Sequence, residues 1–427
     1  MNFTLIPDLV AMAALIAILA VLRQRHRQKF VDLWLLGLFF IFVEAFVRLF
    51  YSSNHSEPLR RPTHCLALIS YMLSALVFTS SAGRETCSRF DRLLYHGINA
   101  IPFTALLILY GWDITNRSQY LGCILAGLFI GIVSTIALRR GWRMIVVHLV
   151  CWVPMLGFLT YGTLREVVYW GLFCLYLLAG LCFQKALPGK STGRTAIVAS
   201  LIVWSLCLLV HPWVAPHPVL QQINDQLWGL QKFLVTIGMV IVLLEDQIHS
   251  NQWLALHDQL TGLPNRRLFD DRLTQALSRA HRLRTSVALI MIDLDGFKLI
   301  NDSYGHAAGD ELLRGITANL TRIVRSSDTL ARIGGDEFVV LAGDLPTNHS
   351  ETISVPRLVE AIQTAIRRPV LIDGSPVSIT GSLGVAIAPD DAKTAELLLQ
   401  IADRRMYKLK KQGSKSRPAY TTEPQTL

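Results

Sequence analysis

Cysteine is absent from the C-terminal part of the chain: all seven (Cys65, Cys87, Cys123, Cys151, Cys174, Cys182 and Cys207) lie before residue 245. None forms a CxxC pair or stands at zinc-ligand spacing, which excludes a zinc ribbon or a thioredoxin-type redox centre. A cysteine-free soluble part suits a reducing compartment. The seven are read as small apolar packing residues of membrane helices. Charge is also sparse, with Asp, Glu, Lys and Arg making up 17% of the 427 residues. The deficit falls on residues 1–244. The first apolar run is expected to be a retained helix and not a cleavable leader, because the basic cluster Arg23, Arg25, Arg27, Lys29 follows it instead of preceding it. No Gly/Ser-rich linker divides the chain, and no internal repeat or pair of broken helices suggests a transporter.

What fills residues 1–244 is apolar. Runs of roughly the 20 residues that a bilayer core requires occur near 4–22, 31–51, 65–82, 94–112, 119–138, 144–162, 166–184, 195–214 and 229–244. With the N-terminus outside, the inner loops hold Arg23, Arg25, Arg27, Lys29, Arg84, Arg89, Arg92, Arg139, Arg140, Arg143, Lys185, Lys190 and Arg194. The outer loops hold Arg60, Arg61, Arg117 and Arg165. The positive-inside rule therefore predicts a multi-pass protein of the bacterial inner membrane, with about nine spans and everything after Leu244 in the cytoplasm. Much of the net charge of +10 belongs to this loop pattern, so no nucleic-acid partner is expected.

Two features of the apolar part stand out. Glu44 and Arg48 are one helical turn apart in the second run, where charges are costly and a mutual ion pair is expected. The pair reads first as structural, with Arg48 snorkelling outward, and second as a ligand site. The run His211–Pro218 is expected to be a Pro-stiffened outer loop. The last span is expected to continue as a helical linker over 245–257. Its Leu244, Ile248, Asn251 and Ala255 have the spacing of one seam of a two-stranded coil.

Residues 258–427 read as a soluble α+β domain. Asn265 is placed to cap a helix ending near Arg282. Ser286–Asp293 is a buried strand, and Leu330–Ile333 with Phe338–Ala342 form a hairpin around Gly334-Gly335-Asp336-Glu337. Helices are expected over 308–324, 351–367 and 394–411, and strands over 370–372 and 377–388. Asp293 at one strand end, with Asp336 and Glu337 in the neighbouring hairpin, makes a hard-oxygen set suited to Mg²⁺. Mg²⁺ held by carboxylates and substrate phosphates serves nucleotidyl transfer. Lys298, Lys408, Lys410 and Lys411 are available to a triphosphate.

These residues carry a resemblance. Arg332-Ile333-Gly334-Gly335-Asp336-Glu337-Phe338 resembles the signature of the GGDEF domain family. Asp258 to Arg267, Asp293 to Asp302, Gly305 to Asp310, Ser382 to Ala386 and Ala402 to Tyr407 are similar to its other landmarks, in the same order. The resemblance covers residues 258 to the last helix and none of the apolar part. It implies a polytopic helical membrane domain (1–244), a helical linker (245–257) and a palm-like, nucleotide-cyclase-type domain with a central antiparallel sheet (258–427). The implied activity is that of a diguanylate cyclase, which condenses two GTP into cyclic di-GMP and two pyrophosphates across a homodimer.

The same resemblance implies roles. Asp293, the Leu294 carbonyl and Asp336 would hold two Mg²⁺ ions per site (Mn²⁺ as the alternative), supported by Glu337, with Asp336 as proton acceptor. Asn301 and Asp310 would read guanine, with His306 nearby. Lys298 would stabilise phosphate charge, Lys410 would contact the triphosphate, and Gly334 and Gly335 would let the backbone approach the α-phosphate. Arg325 and Asp328 resemble the family's RxxD site for feedback by cyclic di-GMP. Ser414 departs from the pattern, which often has Arg there; Lys415 follows. The competing reading is a catalytically silent GGDEF domain that binds GTP or cyclic di-GMP.

Overall fold

The computed structural model describes residues 6–25, 29–50, 57–82, 89–186, 191–345, 351–413 and 420–422. Cys87, Arg27, Arg84, Lys190, Ser414 and Lys415, named above, lie outside the described residues. The chain forms two compact units, Met1–Ile248 and His249–Leu427.

The first unit is helical: α1 Ile6–Arg25, α2 Lys29–Phe50, α3 Glu57–Ser81, α4 Arg89–Gly111, α5 Arg117–Ala137, α6 Trp142–Tyr161, α7 Leu164–Ala186, α8 Thr192–Val214 and α9 Pro218–Leu256. Among the described residues, nine helices are long and apolar enough to cross a bilayer. Large apolar side chains such as Val10, Phe129 and Ile136 point outward, more than 60% exposed. Polar residues lie inside instead, as expected when the solvent is hydrocarbon. Ser74 bonds Tyr176 at 2.7 Å, and Tyr95 bonds His148 at 2.7 Å.

The expected outer loop at His211–Pro218 is mostly helix. His211 to Val214 close α8, and Pro218 opens α9. The Tyr169 ring stacks on His211 at 4.3 Å in the last turn of α8, and Ala215 N bonds His211 O across Pro212. The final span is also longer than its apolar run. Its 39 residues extend about 58 Å, roughly twice a bilayer core. Near its polar end, Glu245 accepts hydrogen bonds from Ser191 Oγ (2.5 Å) and Thr192 N (2.9 Å) at the start of α8. A carboxylate there satisfies backbone donors that the helix leaves open.

The second unit has a six-stranded sheet of order β2-β3-β1-β5-β4, with β6 on β5. The strands are β1 Ser286–Asp295, β2 Thr329–Arg332, β3 Glu337–Leu345, β4 Val370–Ile372, β5 Ser375–Ala388 and β6 Tyr420–Thr422. Every pairing is antiparallel. The helices are α10 Arg266–Leu283, α11 Phe297–Tyr304, α12 His306–Thr321, α13 Glu351–Arg367 and α14 Ala395–Gly413. The Asn265 side chain caps α10, accepting from Leu268 N at 3.2 Å.

Central strand β1 is buried on both faces, which explains its uninterrupted apolar run. Ile290, Ile292 and Leu294 pack with α12 and α13. Val287, Leu289 and Met291 pack with α10 and α14. Each such side chain contributes about 1.5–3 kcal/mol on burial. Because successive side chains alternate in a strand, Asp293 falls on the α14 face. Glu337, directly opposite on β3, has the parity of Val339 and Leu341, which face α14 too.

Candidate functional site

The site grows from this parity. α14 comes close to β5 because residue 384 is glycine: a Cβ there would collide with Ala402 O and Met406 N of the helix backbone. Arg405 fastens the same helix with two 2.7 Å bonds to Asp391, and its Nη1 reaches Val385 O at 2.6 Å. Met406 lies in the core beneath, and Lys410, one turn on, shares its face. The Lys410 Nζ consequently lies 2.7 Å from both Oδ1 and Oδ2 of Asp293.

The hairpin supplies the other carboxylates. Asp336 O accepts from Leu294 N (3.2 Å), and Glu337 O accepts from Ile333 N (3.0 Å). The Glu337 carboxylate folds back over residue 334, where a Cβ would stand 2.5 Å from Oε2 and push that carboxylate aside. Burial first, and then Asp293, Asp336 and Asp403, push the Glu337 carboxyl above its usual range, against Arg266. Asp293 is also raised, by burial and by Asp336 and Asp295, in spite of Lys410. Burial pulls Lys410 down, but its bond and attraction to Asp293 hold it above the ordinary lysine value.

Carboxylates that raise one another in this way form an anionic, hard-oxygen donor set that gains from a divalent cation. The residues therefore fit the implied metal. Among the described residues, however, no three His, Cys, Asp or Glu side chains form a finished cage. Asp293 is engaged by Lys410, and the implied set includes a backbone carbonyl. Asp295 is committed elsewhere, accepting from Thr380 Oγ1 (2.9 Å) and Ser382 Oγ (2.7 Å).

The remaining residues singled out from the sequence are dispersed around this centre. Asn301 lies within α11, and its carbonyl accepts from Gly305 N at 2.9 Å. Its Oδ1 occupies the space that a Cβ at Gly309 would need, so Asn301 lies beside half-buried Asp310 at the start of α12. His306 and Lys298 are exposed. Neither makes a hydrogen bond or ion pair among the described residues. Arg325 is exposed in the turn between α12 and β2, and Asp328 N bonds Arg325 O at 3.0 Å. Burial raises the Asp328 carboxyl, and a bond from the Gly343 backbone opposes this.

Arg332 and Asp258 received no role in the sequence reading, yet they brace the hairpin. Arg332 Nη1 bonds Asp258 Oδ1 at 2.8 Å, while its Nη2 bonds Gly335 O at 2.7 Å. Asp258 also accepts from Thr261 N (2.9 Å) and Oγ1 (2.6 Å). The Asp-x-x-Thr turn was visible in the sequence; the long-range arginine was not. Burial raises Asp258, but the bonds from Thr261 and Arg332 outweigh it and hold the carboxyl below its usual range. Its share of stability is thus complete above the ordinary carboxylate pKa and is lost as pH falls through the depressed value. Arg332→Met should destabilise the unit by about 2–3 kcal/mol at pH 7. That difference should shrink below about pH 4. Urea melts of both proteins across pH check this, and a pH-independent difference counts against the brace.

An antiparallel sheet with carboxylates gathered at a glycine hairpin, and a lysine over them, defines an α+β domain with an acidic site of the kind that handles metal–phosphate groups. Residues 255–416 match the family model "Diguanylate cyclase, GGDEF domain", and this part of the chain belongs to that family. Diguanylate cyclase TpbB of Pseudomonas aeruginosa is 42% identical over 174 residues, covering 41% of this chain and 39% of the relative. The bifunctional diguanylate cyclase/cyclic di-GMP phosphodiesterase MucR of the same species is 44% identical over 160 residues, covering 38% of this chain and 23% of the relative. The chain thus spans less than two-fifths of these curated relatives. Among solved structures, the isolated GGDEF domain of TpbB is 42% identical, with a TM-score of 0.34, covering 36% of this chain and 89% of that one.

Proposed function

We propose that the chain is a membrane-anchored diguanylate cyclase whose catalytic unit faces the cytoplasm. The observation that carries this reading is the convergence of Asp293 and Glu337 across β1 and β3 with Asp336 in the adjoining hairpin. Asp293, the Leu294 carbonyl and Asp336 would hold Mg²⁺, with Glu337 in support. When bound, the metal supplies positive charge to the α-phosphate and acidifies the attacking 3′-hydroxyl. Asp336 takes the proton of that hydroxyl. Lys410 neutralises triphosphate charge, and Lys298 does so as charge develops. Gly334 and Gly335 admit the phosphate to the backbone. Asn301 and Asp310 accept from the guanine edge, which favours GTP over ATP because adenine lacks those donors.

Each unit holds one GTP, so product formation needs two copies. The exposed face carrying Leu244 and Ile248 (41% and 53% exposed) supports α9 as the pairing stalk. The test is turnover of GTP and Mg²⁺ by the full chain in detergent. Cyclic di-GMP and two pyrophosphates should appear, with activity per chain rising with protein concentration. GTP or cyclic di-GMP binding without product would favour the silent-receptor reading. Protease added outside spheroplasts should spare the catalytic unit; cleavage there would reverse the proposed orientation.

Feedback belongs to the same proposal. Exposed Arg325 presents a guanidinium fork suited to phosphate and guanine. Arg325→Ala should raise the cyclic di-GMP concentration for half-inhibition by at least about tenfold. Its uninhibited rate should stay the same. An unchanged inhibition curve would remove Arg325 from the feedback site.

A further inference from the structure

The membrane unit contains a polar cavity of about 1060 Å³. Its walls come from the early turns of α1, α3, α7 and α9 and the last turns of α2, α4 and α8, for example Arg48, His64, Arg165, His211 and Trp228. These are all helix ends of one side of the bundle. With the orientation proposed above, that side is the outer one.

The floor is charged. Glu44 is completely buried, with Arg48 Nε 2.6 Å from Oε1 and Lys232 Nζ 2.7 Å from Oε2. One carboxylate therefore serves two cations, and this triad carries a net positive charge. The expected Glu44–Arg48 pair is present, but Arg48 does not simply snorkel away. Its guanidinium lies 5.4 Å over the Trp228 ring, and its side chain, 37% exposed, lines the cavity. Nε makes the 2.6 Å contact to Glu44. Its Nη groups make no hydrogen bond among the described residues, so their donors are presented to the cavity in an orientation already set on two sides.

The walls and rim narrow the chemistry. Tyr71 packs on Trp228 at 5.3 Å, and His211 on Trp228 at 5.5 Å. These rings suit a flat or apolar body. Asp8 and Asp225 line the exposed rim and disfavour a multiply charged anion. Trp228 and Lys232 belong to α9, the helix that continues unbroken to Leu256. An occupant on the Nη edge of Arg48 thus sits one guanidinium away from the carboxylate that Arg48 shares with Lys232 of α9.

We infer that this cavity binds one singly anionic group, a carboxylate or phosphate, through the Nη edge of Arg48. The group belongs either to a small organic molecule from the outer side or to a lipid headgroup. Binding is read without GTP, so failure of the cyclase reading leaves the test intact. Full-length protein in dodecyl maltoside is titrated with benzoate, with inorganic phosphate, or with phosphatidylglycerol in mixed micelles, and thermal unfolding is followed. At least one probe should stabilise saturably; the soluble probes and the lipid separate the two sources. Arg48→Gln should weaken that probe by at least about tenfold, and Arg48→Lys by less, because lysine keeps the charge and loses the fork. Should Arg48→Gln not fold, phenylglyoxal labelling of wild-type protein provides the readout, with Arg48 protected when the probe is bound. No saturable probe, undiminished binding to Arg48→Gln, or Arg48 labelled equally with and without probe would overturn the inference.

Discussion

Asp336→Ala should leave the protein folded and lower GTP turnover by at least about three orders of magnitude, about 4 kcal/mol in activation free energy. The side chain of Asp336 makes no hydrogen bond or ion pair among the described residues, so truncation removes no internal support. Its charge instead raises the carboxyls of Asp293 and Glu337, and its loss relieves repulsion at the sheet edge. Melting temperature without metal should therefore hold or rise while turnover disappears. In the mechanism proposed above, the same carboxylate holds metal and takes the hydroxyl proton, so one truncation removes both contributions. Residual activity above a tenth of wild type would exclude Asp336 from either role. A fall in melting temperature would indicate a structural role that the geometry does not reveal.

Lys410→Met should shift metal and substrate affinity in opposite directions. The Lys410 ammonium is bonded at 2.7 Å to both oxygens of Asp293, the oxygens a divalent ion would need. An ammonium and a divalent cation compete for one carboxylate, so removing the lysine should tighten Mn²⁺ binding in the absence of nucleotide by about tenfold. It also leaves Asp293, 8% exposed, without its cation. Stability should drop by roughly 1–3 kcal/mol and recover on adding Mg²⁺. With GTP present, the lost phosphate contact should raise KM by about ten- to a hundredfold and alter kcat less. Calorimetric Mn²⁺ titration with and without GTP, set against steady-state kinetics, checks both halves. Unchanged Mn²⁺ affinity would mean that Lys410 does not guard the metal ligand.

The membrane runs were legible because each requires only a local stretch of apolar residues, and the helices follow them closely. The final run is the exception: α9 extends past it at both ends through Gln, Asn and Asp residues. These do not register as a span, but several of them line the polar cavity. Within the second unit, β1 and the hairpin were readable from period and turn chemistry. The short helix α11 was missed, since Gly296 opens it in a left-handed conformation and Gly305 ends it, which looks like loop on both sides.

Glu44 and Arg48 could be paired from sequence because one helical turn separates them. Lys232, 188 residues away, could not. The same contrast holds at the carboxylate-bearing edge of the sheet. The acids at 293, 336 and 337 and their neighbouring strand ends follow from alternation and a glycine turn, which are properties of a few consecutive residues. Lys410 meets Asp293 across 117 residues because glycine at 384 lets α14 settle on β5. Arg332 reaches Asp258 across 74 because the turn from Asp258 to Pro264 lies against the end of β2, where Arg332 N also bonds Pro264 O. Period and turn preference act over one or two turns of chain. Which charge stands opposite which is settled by how the elements pack, and packing depends on every surface that meets there.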